Sequence, residues 1–420
     1  MITFTPCEVN KFQLKMHLLY NIGIRIYLII IKFASLFNKK AKLWLDGRKS
    51  RAFTSCPGAI WFHFASLGEF EQGRPVLEQI KSLDPKKKIV ITFFSPSGYE
   101  IRKNTPLADA VYYLPLDTAK NARDFIDAVQ PQMAIFTKYE YWYHFFNETH
   151  KRGIPLYVIS AIFRPGQVFF KWYGGLHREI LGFVNHFFVQ DERSLQLLVG
   201  IGVNNVTVSG DTRFDRVWAN AAKPMPVPAI KEFSTGHKVF IAGSTWPPDE
   251  QLILHIIDQY PDWKFIIAPH EIGVEKIEKL MELLPSESSA RYSVISHLEG
   301  HFTNLRVLVI DNIGMLSSLY QYGDIAYVGG GFGAGIHNTL EAAAFGLPVI
   351  FGPNYAKFIE ANDLVDLKAG FTVSNEDELM LVTESLINNE HFLADAGHKA
   401  REYARAHTGA TETILKQIAP

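Results

Sequence analysis

The feature that most constrains this chain is a repeated alternation of short apolar runs with helical stretches. Runs such as Ala59–Phe64, Lys88–Phe94 and Met133–Thr137 have the length of strands and contain few polar residues. Strands that are apolar on both faces and separated by helices indicate a parallel sheet covered on both sides. We therefore predict an α/β protein whose sheets are doubly wound.

A proline-rich segment, Lys223-Pro-Met-Pro-Val-Pro228, interrupts the alternation, which restarts with Lys238–Ala242. Three prolines at alternate positions favour an extended, stiff connector. We predict two Rossmann-like domains facing a cleft, over residues 51–222 and 229–420, with the last helix a candidate to pack back on the first domain. Ligands bind at the carboxyl ends of strands in such domains.

The amino-terminal segment 1–50 differs from the rest in charge and hydropathy. Its apolar stretch, Met16–Phe37, would carry one narrow polar stripe on a helix, made of His17, Asn21, Arg25, Lys32, Ser35 and Lys39. This pattern is typical of a helix that lies in or dips into a membrane interface. A buried core helix and an uncleaved signal sequence are the alternatives.

A basic flank follows that stretch. Residues 1–51 hold ten basic and two acidic side chains, whereas the remainder holds 32 basic and 41 acidic ones. Each basic residue near the surface can contribute up to about 1 kcal/mol of attraction to an anionic cytoplasmic leaflet. The whole chain has a formal net charge of −1, which argues neither for nor against a nucleic-acid partner, and we expect none.

Two carboxylates follow predicted strands. Glu69 lies in Ala65-Ser-Leu-Gly-Glu69, which joins a strand to a helix, and a carboxylate so placed can act as a general base. The alternative is a capping box formed by Ser66 and Glu69. Glu140 lies among aromatic residues after another strand, which suggests a polar sugar site, although a surface helix start would give the same pattern.

Two further segments offer groups for binding an anion. Ser95–Gly98 places hydroxyls and a glycine at a helix start, where an ordinary turn is the alternative. Arg213, in the segment Ser209–Asp215, could reach across the cleft toward a phosphate. A salt bridge to Asp211 or Asp215 is the alternative for this arginine.

Five glycines in seven residues, Gly329–Gly335, lie between a predicted strand and a helix. Exposed amides and a helix amino terminus would form an anion cradle, and a purely structural loop is the alternative. Asn338 and Glu341 would share a helix face, so Glu341 could accept hydrogen bonds from a ribose diol. The loop is neither GxGxxG nor a P-loop, which argues against a dehydrogenase or a P-loop kinase.

Several ordered segments resemble those of the 3-deoxy-D-manno-octulosonic acid (Kdo) transferases. They are Ala65–Glu69 (ASLGE), Thr92–Gly98 (TFFSPSG), Glu140-x-Trp142, Gly210–Asp215 (GDTRFD) and His337–Pro353 (HNTLEAAAFGLPVIFGP). The amino-terminal apolar segment and Leu45–Lys49 also fit the family, so the resemblance covers essentially the whole chain.

The resemblance implies an inverting glycosyltransferase of GT-B architecture. The family transfers Kdo from CMP-Kdo to a lipid A precursor at the cytoplasmic face of the inner membrane. The leaving group is a nucleoside monophosphate, so we expect neither a cofactor nor a metal. The expected partners are therefore the CMP-Kdo donor, the lipid A precursor and the membrane itself.

The resemblance also implies roles for residues of this chain. Glu69 matches the general base, and Glu140 and Arg213 match positions that stabilise the transition state. We expect the donor to contact Pro269, His270, Ile313, Gly314, Met315, Gly330, Gly331, Asn338, Thr339, Leu340 and Glu341. We expect the acceptor to contact Ser95, Ser97, Gly98, Arg48 and Lys49.

Two other functions fit the same residues. Another GT-B transferase with a different sugar nucleotide and a lipid acceptor would share the anchor and the glycine loop, and competition by CMP against UDP would separate the two. A non-catalytic lipid A-binding protein would bind without forming product. A sugar-nucleotide epimerase of similar architecture would not need the basic amphipathic amino terminus.

Overall fold

The computed structural model describes residues 6–49, 52–295 and 304–418. The chain divides into two compact units. Unit 1 comprises Met1–Arg213 and Gly409–Pro420, and unit 2 comprises Phe214–Thr408. The division falls before the proline-rich connector, whose residues 224–227 have no regular structure and link two helices within unit 2.

Unit 1 is built on a parallel sheet in which seven strands are described. The strands are β1 Ile60–Phe64, β2 Ile89–Phe93, β3 Ala110–Tyr113, β4 Met133–Thr137, β5 Leu156–Ala161, β6 His186–Val189 and β7 Val206–Val208. Their spatial order is β3-β2-β1-β4-β5-β6-β7. Three neighbouring inner strands, β2, β1 and β4, are buried along their whole length, which explains their continuous apolar character.

The helices of unit 1 cover this sheet and extend beyond it. They are α1 Pro6–Ala34, α2 Lys39–Asp46, α3 Leu67–Leu83, α4 Pro96–Arg102, α5 Ala119–Val129, α6 Tyr143–Lys151, α7 Gly175–Gly182 and α8 Glu192–Val199, with α9 Thr212–Ala222 starting at the unit boundary. The last helix, which we label α19, spans Ala410–Ile418 and buries Ile414 and Ile418 in the same hydrophobic cluster as Leu77 of α3.

Unit 2 repeats the architecture with its own parallel sheet of seven described strands. They are β8 Val239–Thr245, β9 Lys264–Pro269, β10 Ser289–Arg291, β11 Val307–Val309, β12 Ile325–Val328, β13 Val349–Phe351 and β14 Gly370–Thr372, in the order β10-β11-β9-β8-β12-β13-β14. Its helices are α10 Pro228–Ser234, α11 Pro247–Gln259, α12 Val274–Leu283, α13 Tyr292–Ile295, α14 Leu316–Leu319, α15 Leu340–Ala344, α16 Ile359–Asp366, α17 Glu376–Ile387 and α18 Glu390–Ala406. The predicted α/β class with parallel sheets is confirmed.

Helix α1 presents three of its polar side chains to the protein, whereas its basic residues Arg25 and Lys32 are exposed. His17 Nε2 lies 3.1 Å from Glu179 of α7, and the Tyr20 hydroxyl donates a 2.5 Å hydrogen bond to Asp117. The side-chain oxygen of Asn21 accepts a hydrogen bond from His144 Nε2 at 2.7 Å. The sequence did not indicate this orientation, because a helical wheel shows which residues share a face but not what the face contacts.

The opposite face of α1 is apolar and exposed. Leu18, Ile29 and Phe33 are 61, 64 and 67 per cent exposed, and Phe37 just beyond the helix is 81 per cent exposed. Lys15–Ala34 is long and apolar enough to cross a bilayer, a test that core helices and signal sequences also pass. A mostly unburied helix with this outward face does not behave as a core helix.

Candidate active site

In unit 1 the strand order reverses between β1 and β4, which are hydrogen-bonded neighbours. The chain runs from β1 outward to β3 on one side and from β4 outward to β7 on the other. Open α/β sheets bind ligands outside the carboxyl ends of the strands at such a switch point. The loops that follow these two strands carry Glu69 and Glu140, so the fold brings both predicted carboxylates to this position.

Glu69 occupies the first turn of α3, and its role as a general base stays a prediction. Its Oε2 accepts a 2.5 Å hydrogen bond from the Ala65 amide, while the Ser66 side chain makes no capping bond. Burial, followed by the negative charge of Glu140, raises the pKa of Glu69 to about 7. The predicted Ser66–Glu69 capping box is therefore incomplete, because only the glutamate side chain bonds to the backbone at the helix start.

Glu140 is fixed by a chain of buried side chains. Its Oε2 accepts from Trp142 Nε1 at 2.8 Å and lies 3.3 Å from His63 Nε2. His63 Nδ1 is 2.8 Å from the Thr92 hydroxyl, which accepts from Trp61 Nε1 at 2.8 Å. Because the Glu140 carboxylate can only accept, a neutral His63 carries its proton on Nε2 and donates it to Glu140, so its Nδ1 accepts from the Thr92 hydroxyl.

His63 is fully buried, and burial lowers its pKa, which favours the neutral imidazole that this chain of bonds requires. Sequence reasoning missed His63 and Thr92 because both lie inside apolar strands. A signal was present, since each is the fourth residue of its strand and the two are register partners on β1 and β2. Matched polar residues at the centre of a buried sheet need each other as hydrogen-bond partners.

Backbone strain accompanies this part of the sheet. Lys138 has φ 66° directly after β4, and Ser160 has φ 50° within β5. Neither is a glycine, and left-handed backbone is unfavourable for other residues. Such conformations concentrate at functional sites, where surrounding contacts hold them in place.

Arg213 forms the ion pair that the sequence left open as the alternative to phosphate binding. Its Nε donates to Asp211 at 2.8 Å, and Gln72 donates to the other oxygen of Asp211 at 2.9 Å. Burial raises the pKa of Tyr139. The negative charge of Glu69 raises this pKa further, and the positive charge of Arg213 lowers it. The Tyr139 phenol is therefore within electrostatic reach of both predicted catalytic groups.

The predicted acceptor segment Ser95–Gly98 is used largely for local structure. The Ser95 hydroxyl accepts from the Ser97 amide at 3.3 Å and lies 3.0 Å from the Ser97 hydroxyl. A Cβ at Gly98 would lie 2.3 Å from the Phe93 ring, so this glycine permits close packing of α4 on β2. The ordinary helix start accounts for all three residues, and their contact with an acceptor stays a prediction.

Arg48 also has a structural role that the sequence did not indicate. Its Nε donates to the Leu114 carbonyl at 2.8 Å and its Nη2 to the Phe94 carbonyl at 2.7 Å, which ties the end of α2 to the ends of β3 and β2. Burial lowers the pKa of Arg48 to about 9. Lys49 differs, because its ammonium is exposed and pairs with Asp46 at 2.6 Å.

In unit 2 the corresponding reversal lies between β8 and β12. Three rings stack there: Trp246 on His270 at 4.8 Å, and His270 on His337 at 4.3 Å between centroids. Trp246 Nε1 donates to His337 Nε2 at 3.1 Å. Burial and the neighbouring His270 lower the pKa of His337 to about 4, so it is a neutral acceptor at physiological pH.

The amide of Gly330 does not point into an anion cradle as the sequence predicted. This amide donates to the carboxylate of Asp249 at 3.0 Å, which leaves it no N–H for a ligand. The amide of Gly329 bonds the Gly243 carbonyl, and the amides of Gly333 and Gly335 bond the Gly330 carbonyl. The loop therefore uses these amides to hold its own shape.

Gly331 is required by a close backbone approach. A Cβ there would lie 2.6 Å from the Cα of Gly352, which follows β13. A side chain at residue 331 would force the two loops apart, so the glycine has a packing reason independent of any ligand. Contact of Gly331 with the donor stays a prediction.

The segment after the glycine loop divides into exposed and buried positions. Asn338 Nδ2 donates to Glu341 Oε1 at 3.2 Å, which confirms that the two share a face. Both are partly exposed, whereas the side chains of Thr339 and Leu340 are fully buried. A ligand would reach the side chains of Asn338 and Glu341 directly, but Thr339 and Leu340 only through their backbone.

The remaining predicted donor contacts lie at the ends of β9 and β11. Pro269 ends β9, and His270 belongs to the ring stack described above. Ile313 is 85 per cent exposed, Gly314 has φ 93°, and Met315 precedes α14. The turn Ile313–Met315 thus offers an accessible apolar side chain at the same edge of the sheet.

A search for metal ligands covered residues 6–49, 52–295 and 304–418. Within these ranges no group of three or more His, Cys, Asp or Glu side chains is arranged to hold an ion. The positive charge of Lys138 acts on Glu69 and lowers its pKa. Arg213 acts in the same way on Tyr139, on which Glu69 also acts.

Comparison with known proteins identifies relatives of the whole chain. Residues 37–216 match the sequence model of the 3-deoxy-D-manno-octulosonic-acid transferase (kdotransferase) family. The chain is 28 per cent identical to the Kdo transferase of Aquifex aeolicus over 80 per cent of its own length and 87 per cent of the relative's. The chain is 27 per cent identical to the Kdo transferase of Haemophilus influenzae, over 87 per cent of its own length and 88 per cent of the relative's.

A longer relative also matches. The chain is 25 per cent identical, over 89 per cent of its length, to a bifunctional glycosyltransferase/methyltransferase of Fusobacterium nucleatum. It spans 59 per cent of that protein. A large share of that relative's sequence therefore lies outside the match.

Solved structures support the same fold. UDP-GlcNAc 2-epimerase from Neisseria meningitidis aligns with a TM-score of 0.61 at 15 per cent identity, covering 86 per cent of this chain and 99 per cent of the other. MurG from Acinetobacter baumannii aligns with a TM-score of 0.53 at 12 per cent identity, covering 86 per cent of this chain and 98 per cent of the other. These likenesses confirm the GT-B architecture, and the sequence is similar to those of Kdo transferases over most of its length.

Proposed function

We propose that this chain is an inverting glycosyltransferase that moves Kdo from CMP-Kdo to a lipid A precursor of the lipid IVA type, in lipopolysaccharide core biosynthesis. Its similarity to the Kdo transferase family model and to curated Kdo transferases supports the transferred sugar. The observation that carries the mechanism is Glu69, a carboxylate at the switch point of unit 1 whose pKa is raised to about 7.

In this mechanism Glu69 takes the proton from a glucosamine hydroxyl of the acceptor. The hydroxyl oxygen forms a bond to the anomeric carbon of Kdo as the bond from that carbon to the phosphate oxygen of CMP breaks. CMP leaves with the bonding electron pair, and a single in-line displacement inverts the anomeric centre. A base with a pKa near the working pH is efficient because it is ionised yet still basic.

Glu140 and Arg213 support this step in different ways. The charge of Glu140 keeps the pKa of Glu69 high, and its bonds to Trp142 and His63 hold it in place. Arg213 supplies positive charge for the phosphate that gains charge as the bond breaks. Its ion pair with Asp211 orients the guanidinium.

Unit 2 binds the donor in this proposal. Asn338 and Glu341 offer an amide and a carboxylate to the ribose hydroxyls, and Ile313 offers an exposed apolar surface. The ring stack of Trp246, His270 and His337 lies at the same sheet edge. Neutral rings of this kind provide a flat surface for a base or sugar.

The membrane association that we propose rests on α1. Its exposed apolar face would enter the cytoplasmic leaflet of the inner membrane, and Lys32, Lys39, Lys40 and Lys42 would contact anionic headgroups. This location would bring unit 1 to a membrane-embedded lipid acceptor. Binding to vesicles with and without anionic lipid measures both contributions.

The test is mass spectrometry of the lipid product after incubation with CMP-Kdo and a tetraacylated lipid A precursor, without added metal. We expect a mass gain of one or more Kdo units. Glu69→Gln should lower turnover by about 10²- to 10⁴-fold, the usual contribution of a general base. Glu78→Gln on the same helix, a partly exposed residue paired with Arg74, is the matched control and should retain activity.

Three outcomes would contradict the proposal. Near-normal turnover by Glu69→Gln would exclude Glu69 as the base. Competition by UDP instead of CMP would indicate a GT-B transferase with another donor, and binding of the lipid without product would indicate a non-catalytic lipid A-binding protein.

A further inference from the structure

A cavity of about 650 Å³ lies in unit 1, away from the switch point. It is enclosed by α1, α2 and the chain from the end of β3 through α5, and we refer to it as the α1–α2 cavity. Its apolar lining consists mainly of Leu28, Leu45, Phe53, Pro115, Leu116 and Ala128. The volume is in the range of pockets that hold small molecules.

The polar groups of the α1–α2 cavity are divided between its floor and its rim. Trp44 and Arg48 are buried and form the floor, with the guanidinium 3.7 Å from the centre of the indole ring. Arg25, Lys120 and Asp124 are exposed at the rim. An apolar lining with a cationic floor and rim fits an amphiphile that carries oxygen acceptors.

The floor has hydrogen-bond donors without acceptors. The Trp44 side chain is buried, and its Nε1–H has no partner in the described part of the chain. Arg48 donates one bond each from Nε, Nη1 and Nη2, which uses three of its five N–H groups. Buried donors are normally satisfied, so an indole N–H left over beside a cavity indicates a ligand oxygen.

We propose that the α1–α2 cavity receives an acyl chain of the lipid acceptor, with oxygen atoms at the head of that chain accepting from Trp44 and Arg48. The inference rests on the proposed function, since it names which part of the acceptor binds where. The apolar lining matches the hydrocarbon, and ester, amide or hydroxyl oxygens match the unused donors. Helix α1 contributes Arg25 and Leu28 to the cavity while it exposes Ile26 and Ile29, so the cavity adjoins the proposed membrane face.

Aromatic rings connect the floor of the cavity to the candidate active site. Trp44 contacts Phe94 edge to face at 5.7 Å between centroids, and Phe94 stacks on Trp142 at 5.0 Å. Trp142 donates its indole N–H to Glu140. A sugar beside Glu69 and Glu140 is therefore separated from the cavity by little more than two rings, which the acylated positions of a glycolipid can span.

The experiment measures equilibrium binding to the full-length chain in detergent, without donor. The probes are the tetraacylated lipid A precursor, the fully deacylated disaccharide and dilauroyl phosphatidylglycerol. Ala128→Trp fills the cavity, and Ala119→Trp, on the same helix but outside the lining, is its control. Trp44→Phe removes the unused donor, and Trp172→Phe, at an exposed tryptophan, is its control.

We expect Ala128→Trp to raise the Kd for the acylated precursor at least tenfold and Trp44→Phe to raise it about fivefold. Neither variant should change the Kd for the deacylated disaccharide, and both controls should match the parent protein. The inference is overturned if both variants bind the acylated precursor normally, if they weaken the deacylated probe equally, or if phosphatidylglycerol binds as tightly as the precursor. Because no donor is present, failed Kdo transfer is scored separately and bears only on the proposed function.

Discussion

The pH dependence of transfer follows from the environment of Glu69. With a pKa of about 7, this carboxylate is ionised in about one tenth of the molecules at pH 6 and in about one hundredth at pH 5. We therefore expect kcat/KM to fall about tenfold for each pH unit below 7. A base with the ordinary glutamate pKa of 4.5 would remain mostly ionised at pH 5, so its activity would be nearly level over that range.

The cause of the raised pKa can be tested separately from its value. Burial is the larger cause and the charge of Glu140 is the next, so Glu140→Gln should move the acid limb of the profile to lower pH. Its midpoint should fall between 7 and the ordinary value of 4.5, whatever happens to the maximal rate. Glu78→Gln should leave the midpoint unchanged, because that side chain pairs with Arg74 on the outer part of α3.

The assay is the initial rate of Kdo transfer at low acceptor concentration between pH 4.5 and 8. Each pH is checked for reversible loss by returning samples to pH 7.5, so that unfolding is not read as titration. A wild-type profile that is flat between pH 5 and 7 would refute the argument about burial. An acid limb that Glu140→Gln leaves in place would refute the coupling of the two carboxylates.

Three other changes test the contacts around the two sites. His63→Gln keeps a side-chain N–H for Glu140 and should retain more of kcat than His63→Leu. For His63→Leu we expect kcat to fall about 10- to 100-fold with the donor KM unchanged, because a hydrogen bond to a charged group is worth about 1.5–3 kcal/mol. Equal kcat values for the two variants would contradict the role assigned to His63. Asp249→Ala leaves three donors without their acceptor and should lower the free energy of unfolding by about 3 kcal/mol or more, measured by denaturant titration, and a loss below about 1 kcal/mol would show that water replaces the carboxylate. Gly331→Ala should be destabilising by about 1–3 kcal/mol because its Cβ meets opposing backbone, whereas Gly333→Ala, where the nearest atom is 3.6 Å away, should unfold close to the wild-type midpoint.

The central strands could be predicted from sequence because burial on both faces leaves them almost no polar positions. Met133–Thr137 was predicted to the residue. The edge strands β10 and β14 were missed because each has three residues and neither forms an apolar run. An edge strand needs cover on fewer sides, so its sequence carries less of the signal.

The site was predicted only where a residue's position along the chain decides its location. Glu69 and Glu140 directly follow strands, and parallel strands bring their carboxyl ends to one edge, so their proximity followed from the sheet. The acceptor for the Gly330 amide could not be found in this way, because Asp249 lies 81 positions away. Glycine spacing shows where backbone can approach closely, but it does not identify the partner that approaches.

The inverted polarity of α1 has a practical consequence for purification. Deleting this helix to obtain a soluble protein would remove the Tyr20 hydroxyl from Asp117 and the Asn21 amide from His144, and would uncover the surface that they cover. A truncated chain would exchange one exposed apolar surface for another that also contains incompletely bonded polar groups. Replacing outward residues such as Ile29 and Phe33 with polar ones would keep the inner contacts and remove only the surface that requires detergent.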